Sequence, residues 1–232
     1  MIKKYFNIGA TPAVLFGKES DKAFIVIHGQ GGNKEEAERF AKVAECYGYR
    51  TLAVDLPKHG GRKDAADFVP WEVMPELRAV VKLAKENYET VSLYATSIGA
   101  YFSLLAFRGE NFAKCLLVSP LLDMVTTIDL LMDAAGVSEE RLKAESEIKT
   151  DFGQTLSYKY FCYAREHKIG KVSDDTSILY ASGDEVVPRF TVEKFAEENG
   201  CDLRILSGCE HWLHTEEEIA ALETWEREKI GK

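Results

Sequence analysis

Apolar residues fall along this chain in two alternating patterns. Short, almost unbroken runs of β-branched and aliphatic side chains occupy residues 23–27, 50–54, 91–94, 115–118, 177–181 and 202–206. Runs of that length without polar alternation predict strands covered on both faces, as in a mostly parallel sheet. Residues 3–15 predict antiparallel edge strands at the start of the chain. Between the strands the apolar period lengthens to that of helices. Asn33, with Glu36 three residues on, predicts a capped helix running to about Tyr47. Pro70 presets the backbone for a helix near Trp71, and Val73, Leu77, Val80, Val81 and Leu83 carry it toward Asn87. A third helix follows Ser97 directly. Residues 190–199 predict another, closed by Gly200 in a left-handed cap, and Thr215 with Glu218 forms a second capping box for a last helix ending near Ile230. Strands and helices alternating in this way predict an α/β fold with helices on both faces of the sheet.

One interval breaks the alternation. Residues 121–176 separate two predicted parallel strands by 56 residues, whereas a crossover needs only about a dozen. Ile128, Leu130, Leu131 and Met132, with the aromatic group Tyr158, Tyr160, Phe161 and Tyr163, predict a few helices forming a small lid. It is expected as an insertion within a single domain spanning 1–232; a longer connection packed on the sheet is the simpler alternative. No repeat or low-complexity tract interrupts the chain.

Composition narrows the function. The apolar fraction of 46% and aromatic fraction of 11% are those of a globular protein with a sizeable core, against disorder or a collagen-like chain. Lys and Arg number 29 against 38 Asp and Glu, a net charge of −9. No basic run concentrates positive charge, so nucleic acid and anionic membrane surfaces are not expected partners, and a small molecule is. No apolar stretch approaches the roughly 18 residues of a membrane span. The basic start at residues 1–5 lacks the following apolar segment of an export signal. Five cysteines, scattered without C-x-x-C spacing, argue against a disulfide framework or a zinc cluster, and a cytoplasmic location is expected.

Candidate chemistry gathers at the ends of the predicted strands. The strand 91–94 runs into Ala95-Thr96-Ser97-Ile98-Gly99 and then a helix. A serine on such a sharp turn is held in a strained backbone that lifts its hydroxyl clear of the sheet, which requires small residues two before and two after it. Taken alone, Ser97 reads equally as a helix cap. The strand 23–27 ends in His28-Gly29-Gln30-Gly31-Gly32, a loop able to aim a backbone amide into the same region, where developing negative charge on a carbonyl oxygen would be stabilised. Gln30 and Ile98 are the two candidate amide donors. A phosphate loop would need a Gly-Lys-Ser/Thr sequence that is missing. Asp184 follows the strand 177–181 and His211 follows 202–206, both at the sheet edge where open α/β sheets bind ligands.

These motifs resemble the α/β-hydrolase fold superfamily over nearly the whole chain, from the His28 loop through the Thr215 helix. The Gly-Asp…Val-Pro segment around Asp184 and the Gly-x-x-His segment ending at His211 look like that superfamily's acid and histidine loops, although Ala95 stands where glycine is usual. The resemblance implies Ser97 as nucleophile, His211 as general base and acid, Asp184 as the group that orients the imidazole, and Gln30 and Ile98 as the oxyanion-hole amides. It implies a serine hydrolase, a carboxylesterase type, acting on small or medium carboxylic esters, thioesters or related acyl compounds, with no cofactor. His214 is the rival to His211, and Glu185 and Asp123 are the rivals to Asp184. His28 resembles a loop-stabilising histidine, and His59 and His167 are expected to be structural. Cys209 is expected as a small buried filler. The His211/His214 spacing lacks the glutamate of a zinc site, so no metal is expected. The alternatives are a non-catalytic ligand-binding protein on the same fold, or a peptidase or acyltransferase.

Overall fold

The computed structural model describes residues 1–231. Ten strands and eight α-helices follow one another along the chain. β1 (Lys3–Ile8) and β2 (Thr11–Phe16) form a hairpin, and β3 (Lys22–Ile27) leads through a 3-10 turn (Lys34–Glu36) into α1 (Ala37–Glu45). β4 (Arg50–Val54), α2 (Pro70–Asn87), β5 (Thr90–Thr96), α3 (Ile98–Ala106) and β6 (Cys115–Val118) come next. Then follow α4 (Met124–Ala135), α5 (Glu139–Glu145), β7 (Glu147–Lys149), β8 (Thr155–Ser157) and α6 (Tyr158–Glu166). The chain closes with β9 (Thr176–Ala181), α7 (Arg189–Asn199), β10 (Asp202–Leu206) and α8 (Glu216–Ile230). No helix among the described residues is long and apolar enough to cross a membrane.

Eight strands make one sheet in the order β1-β2-β4-β3-β5-β6-β9-β10. The opening hairpin is antiparallel, β2 also pairs antiparallel with β4, and every later pairing is parallel. The central strands carry side chains buried on both faces, which is why their sequences read as unbroken apolar runs. One apolar cluster lies on the α2/α3 face, with Leu77, Phe102 and Leu117. The other lies under α1 and α8, with Phe40, Tyr94 and Trp225.

Two local details differ from the sequence pattern. The helix expected from Asn33 begins with a 3-10 turn, so the Asn33 side-chain oxygen accepts from the Glu35 amide, while Glu36 reaches back to Asn33 and accepts from its Nδ2 at 3.5 Å. The interval 121–176 holds α4, α5 and α6, and between α5 and α6 it folds the short antiparallel hairpin β7–β8. Its apolar residues Ile128, Leu142, Leu156 and Phe161 join the α2/α3 cluster.

Candidate active site

The parallel strands deliver four loops to one edge of the sheet. The first is the turn between β5 and α3, where Ser97 stands at φ 51°, ψ −127°, a positive φ that L-residues adopt only under constraint. The constraint comes from both sides. The Ser97 amide donates to the Val118 carbonyl at 3.0 Å, and the Ser97 carbonyl accepts from the Leu121 amide at 3.1 Å, tying the turn to the end of β6. A Cβ on Gly99 would meet the His28 carbonyl oxygen at 2.3 Å, so only glycine lets α3 start this close to the end of β3. Ala95 is fully buried between Ile27 and Leu117 on the neighbouring strands.

The second element is the glycine loop after β3. Gly29 lies against the turn, where a Cβ would come within 3.2 Å of the Ser97 Cβ. Two histidines hold the loop by backbone hydrogen bonds on both ring nitrogens. His28 donates from Nδ1 to the Gly29 carbonyl at 2.7 Å and accepts the Leu56 amide on Nε2 at 3.1 Å. His59 donates from Nδ1 to the Pro57 carbonyl at 2.7 Å and accepts the Gly31 amide on Nε2 at 2.9 Å. Burial pushes His28 down to about 4, which keeps it neutral near pH 7. Buried Asp55 ties the far ends together by accepting the Lys34 amide, the Lys34 ammonium and the Gly61 amide, each at 2.8 Å. Burial raises its carboxyl, but these three donors outweigh that and hold it below the usual carboxylate range. The amides of Gln30 and Ile98 donate to no described residue; Ile98 opens α3, where first-turn amides lack helical partners.

The third element combines the loops after β9 and β10. A Cβ on Gly183 would meet the Cys209 carbonyl at 2.9 Å, and the Gly183 amide donates to that same oxygen, so the two loops lie flush. The Asp184 side chain is fully buried. Its Oδ1 accepts from the Val186 and Val187 amides, each at 2.8 Å, and its Oδ2 lies 2.6 Å from His211 Nδ1. His211 Nε2 lies 2.9 Å from Ser97 Oγ. Ser97 and His211 are 4% and 5% exposed, so the chain of hydrogen bonds is shielded from water.

The rival residues stand elsewhere. His214 is exposed, and its ring turns to the Trp212 carbonyl and toward Glu218. Asp123 caps α4 by accepting from the Thr126 amide and hydroxyl, and Glu185 is exposed. His167 stacks on Tyr163 at 3.9 Å, and Cys209 is buried.

Two contributors are not marked as part of the site by the sequence pattern. His59 is one; a histidine followed by Gly60 and Gly61 just past a strand end is the only hint. Glu218 is the other. It closes the expected capping box with Thr215, and it also accepts the Glu210 amide on Oε1 and the His214 and Thr215 amides on Oε2. It therefore grips the backbone on both sides of His211.

No protein-family model matches the chain, and no curated protein matches it in sequence. Solved structures do match in shape. Est1E from Butyrivibrio proteoclasticus, with ferulic acid bound, superposes at a TM-score of 0.75, with 20% identity over 99% of this chain and 100% of its own. Alpha/beta hydrolase domain-containing protein 10 from mouse gives 0.75, with 15% identity over 100% and 99%. A soluble variant of monoglyceride lipase from Saccharomyces cerevisiae, in complex with a substrate analogue, gives 0.68, with 12% identity over 99% and 95%. The chain has the α/β-hydrolase fold.

Proposed function

We propose that the protein is a serine hydrolase that cleaves carboxylic esters, thioesters or related acyl compounds through an acyl-enzyme. The observation that carries this is the continuous line from Asp184 Oδ2 through His211 to Ser97 Oγ, with distances of 2.6 and 2.9 Å. With Nδ1 donating to the carboxylate, Nε2 is left as the acceptor for the serine proton.

Ser97 Oγ attacks the acyl carbon as its proton passes to His211 Nε2, and the carbonyl oxygen becomes an oxyanion. The amides of Gln30 and Ile98 receive that charge; a donor of this kind supports the transition state by about 3 kcal/mol. His211 returns the proton to the departing alcohol or thiol, whose bond to the acyl carbon breaks. Water then repeats the sequence on the acyl-Ser97 ester and releases the acid, with His211 first taking and then giving a proton. Asp184 keeps the tautomer and offsets the imidazolium charge in a water-shielded site.

The test is labelling with a fluorophosphonate, read by peptide mass spectrometry, beside turnover of an ester and thioester panel. Esters of ferulic acid and monoglycerides belong in the panel because two proteins of this shape hold ferulic acid and a monoglyceride lipase substrate analogue. One adduct on Ser97, lost in Ser97→Ala together with at least a thousandfold of turnover, is expected. A folded protein that takes no adduct and turns over no ester would be a ligand-binding protein instead.

A further inference from the structure

Beside the His211 imidazole, on the sheet face opposite the 121–176 segment, lies a cavity of about 620 Å³. Val26, Ala53, Tyr94 and Val118, one from each of four adjacent strands, form its floor. Phe40 of α1 and Leu222 of α8 close it. It opens between the glycine loop and the segment bearing Trp212, whose ring is half exposed and meets the imidazole edge-on at 4.9 Å. Close-packed interiors leave few voids larger than a water molecule, and this volume falls in the range of small-molecule sites.

Two features define what fits. The first is charge. Lys34 is paired with Asp55 at 2.8 Å and Glu35 at 2.9 Å, and Arg39 is held by Glu226 at 2.6 Å, so the cations on the lining are already neutralised. Glu36 adds a carboxylate to the same lining. The Lys and Arg side chains thus leave no charge over for an anionic ligand, and the apolar floor suits an uncharged chain. The second is position. His211, Gly29 and Gln30 line the cavity, whereas Ser97 and Ile98 do not. During acylation the acyl carbon is bonded to Ser97 Oγ, and the departing oxygen takes its proton from the imidazole, so the leaving group is the part of the substrate nearest His211.

We propose that this cavity is the leaving-group subsite and that it takes the uncharged apolar chain of an alcohol or thiol. The assignment rests on Ser97 acting as the nucleophile. It makes the preferred substrate an ester or thioester whose larger apolar part departs with the oxygen or sulfur, while the acyl part stays on Ser97.

Two ester series test it: acetates of straight-chain alcohols from ethanol to 1-octanol, and ethyl esters of the corresponding acids. Both are run on the natural protein and on two variants that fill the cavity, Ala37→Phe inside it and Ile219→Trp on its less buried wall, the second chosen to fold readily. In the natural protein kcat/KM is expected to rise about fourfold per methylene along the alcohol series, the scale set by burying one methylene. In both variants the octyl-to-ethyl acetate ratio is expected to fall at least tenfold while the acid series keeps its slope. A flat alcohol series, or variants that flatten the acid series instead, overturns the proposal. If the protein hydrolyses nothing, the leaving-group role falls with the reaction, and calorimetry with 1-octanol separates the two failures. Binding that Ile219→Trp abolishes retains an apolar-chain site, and no binding removes that as well.

Discussion

The imidazole of His59 accepts a hydrogen bond from the amide of Gly31, 2.9 Å away, and so fixes the middle of the glycine loop from a segment that follows a different strand. On the proposed mechanism His59 touches none of the reacting atoms; it positions the Gln30 amide. His59→Ala is expected to lower kcat roughly 10- to 100-fold with little change in KM, a fraction of the loss from removing an oxyanion donor outright. His59→Gln, whose side-chain oxygen can accept the same amide, should recover part of it. Steady-state kinetics on an ester substrate, with melting temperatures recorded in parallel, separate this from a general loss of stability.

Glu218 acts in the same manner on the other side of the site. Amides of the loop, led by Thr215 and His214, hold its carboxyl down at about 2. A lowered carboxylate stabilises the fold above the unfolded value, near 4.5, and that contribution is lost as pH falls from there through about 2. Glu218→Gln is expected to melt earlier than the natural protein at pH 6, with the gap narrowing between pH 4.5 and pH 3. Because the same amides flank His211, kcat should fall roughly tenfold in that variant.

His28 gives the chain a second acid sensitivity. Burial lowers its imidazole to about 4 from an ordinary 6.5, so the unfolded chain takes up a proton that the folded one refuses. Stability that is full above pH 6.5 is therefore lost as pH falls toward 4, by an amount on the order of 3 kcal/mol. Urea unfolding at pH 7.5 and pH 4.5 should show this loss in the natural protein. A shallower dependence is expected in His28→Gln, despite its lower stability at pH 7.5.

Ser97 pairs function with strain. Its φ of 51° costs a non-glycine residue about 1 kcal/mol or more. Ser97→Gly should therefore raise the melting temperature by about 2–4 °C in a chain of this size while abolishing turnover. Calorimetry on the purified variant checks the sign; a lower melting temperature would mean that the serine is not strained.

Much of this architecture is legible in the sequence, for a physical reason. Strands buried on both faces leave unbroken apolar runs, so the middle of β5 is marked while Thr90, Ala95 and Thr96 at its ends fall outside the run; β4 and the half-buried edge strand β10 are marked to the residue. The hairpin β7–β8 is not legible. Each of its strands has three residues and buries only one, Ile148 or Leu156, too few for a period to emerge. The order of Ser97, Asp184 and His211 at strand ends is visible because serine, carboxylate and imidazole are distinctive residue types. The work of His59 and Glu218 is hidden because their partners are backbone amides, which every residue type supplies alike. The cavity beside His211 is hidden for a related reason: its floor is built from ordinary core residues, and only the space they leave is unusual.

The apolar side chains of the 121–176 segment share one cluster with Leu77, Phe102 and Leu117 beneath them. That common core makes the segment part of the same cooperative unit as the sheet. It should melt with the sheet in a single calorimetric transition, and its buried amides should exchange at the global rate rather than through an opening of their own. Swinging it away as a rigid flap would expose Phe161 and Leu142 to water.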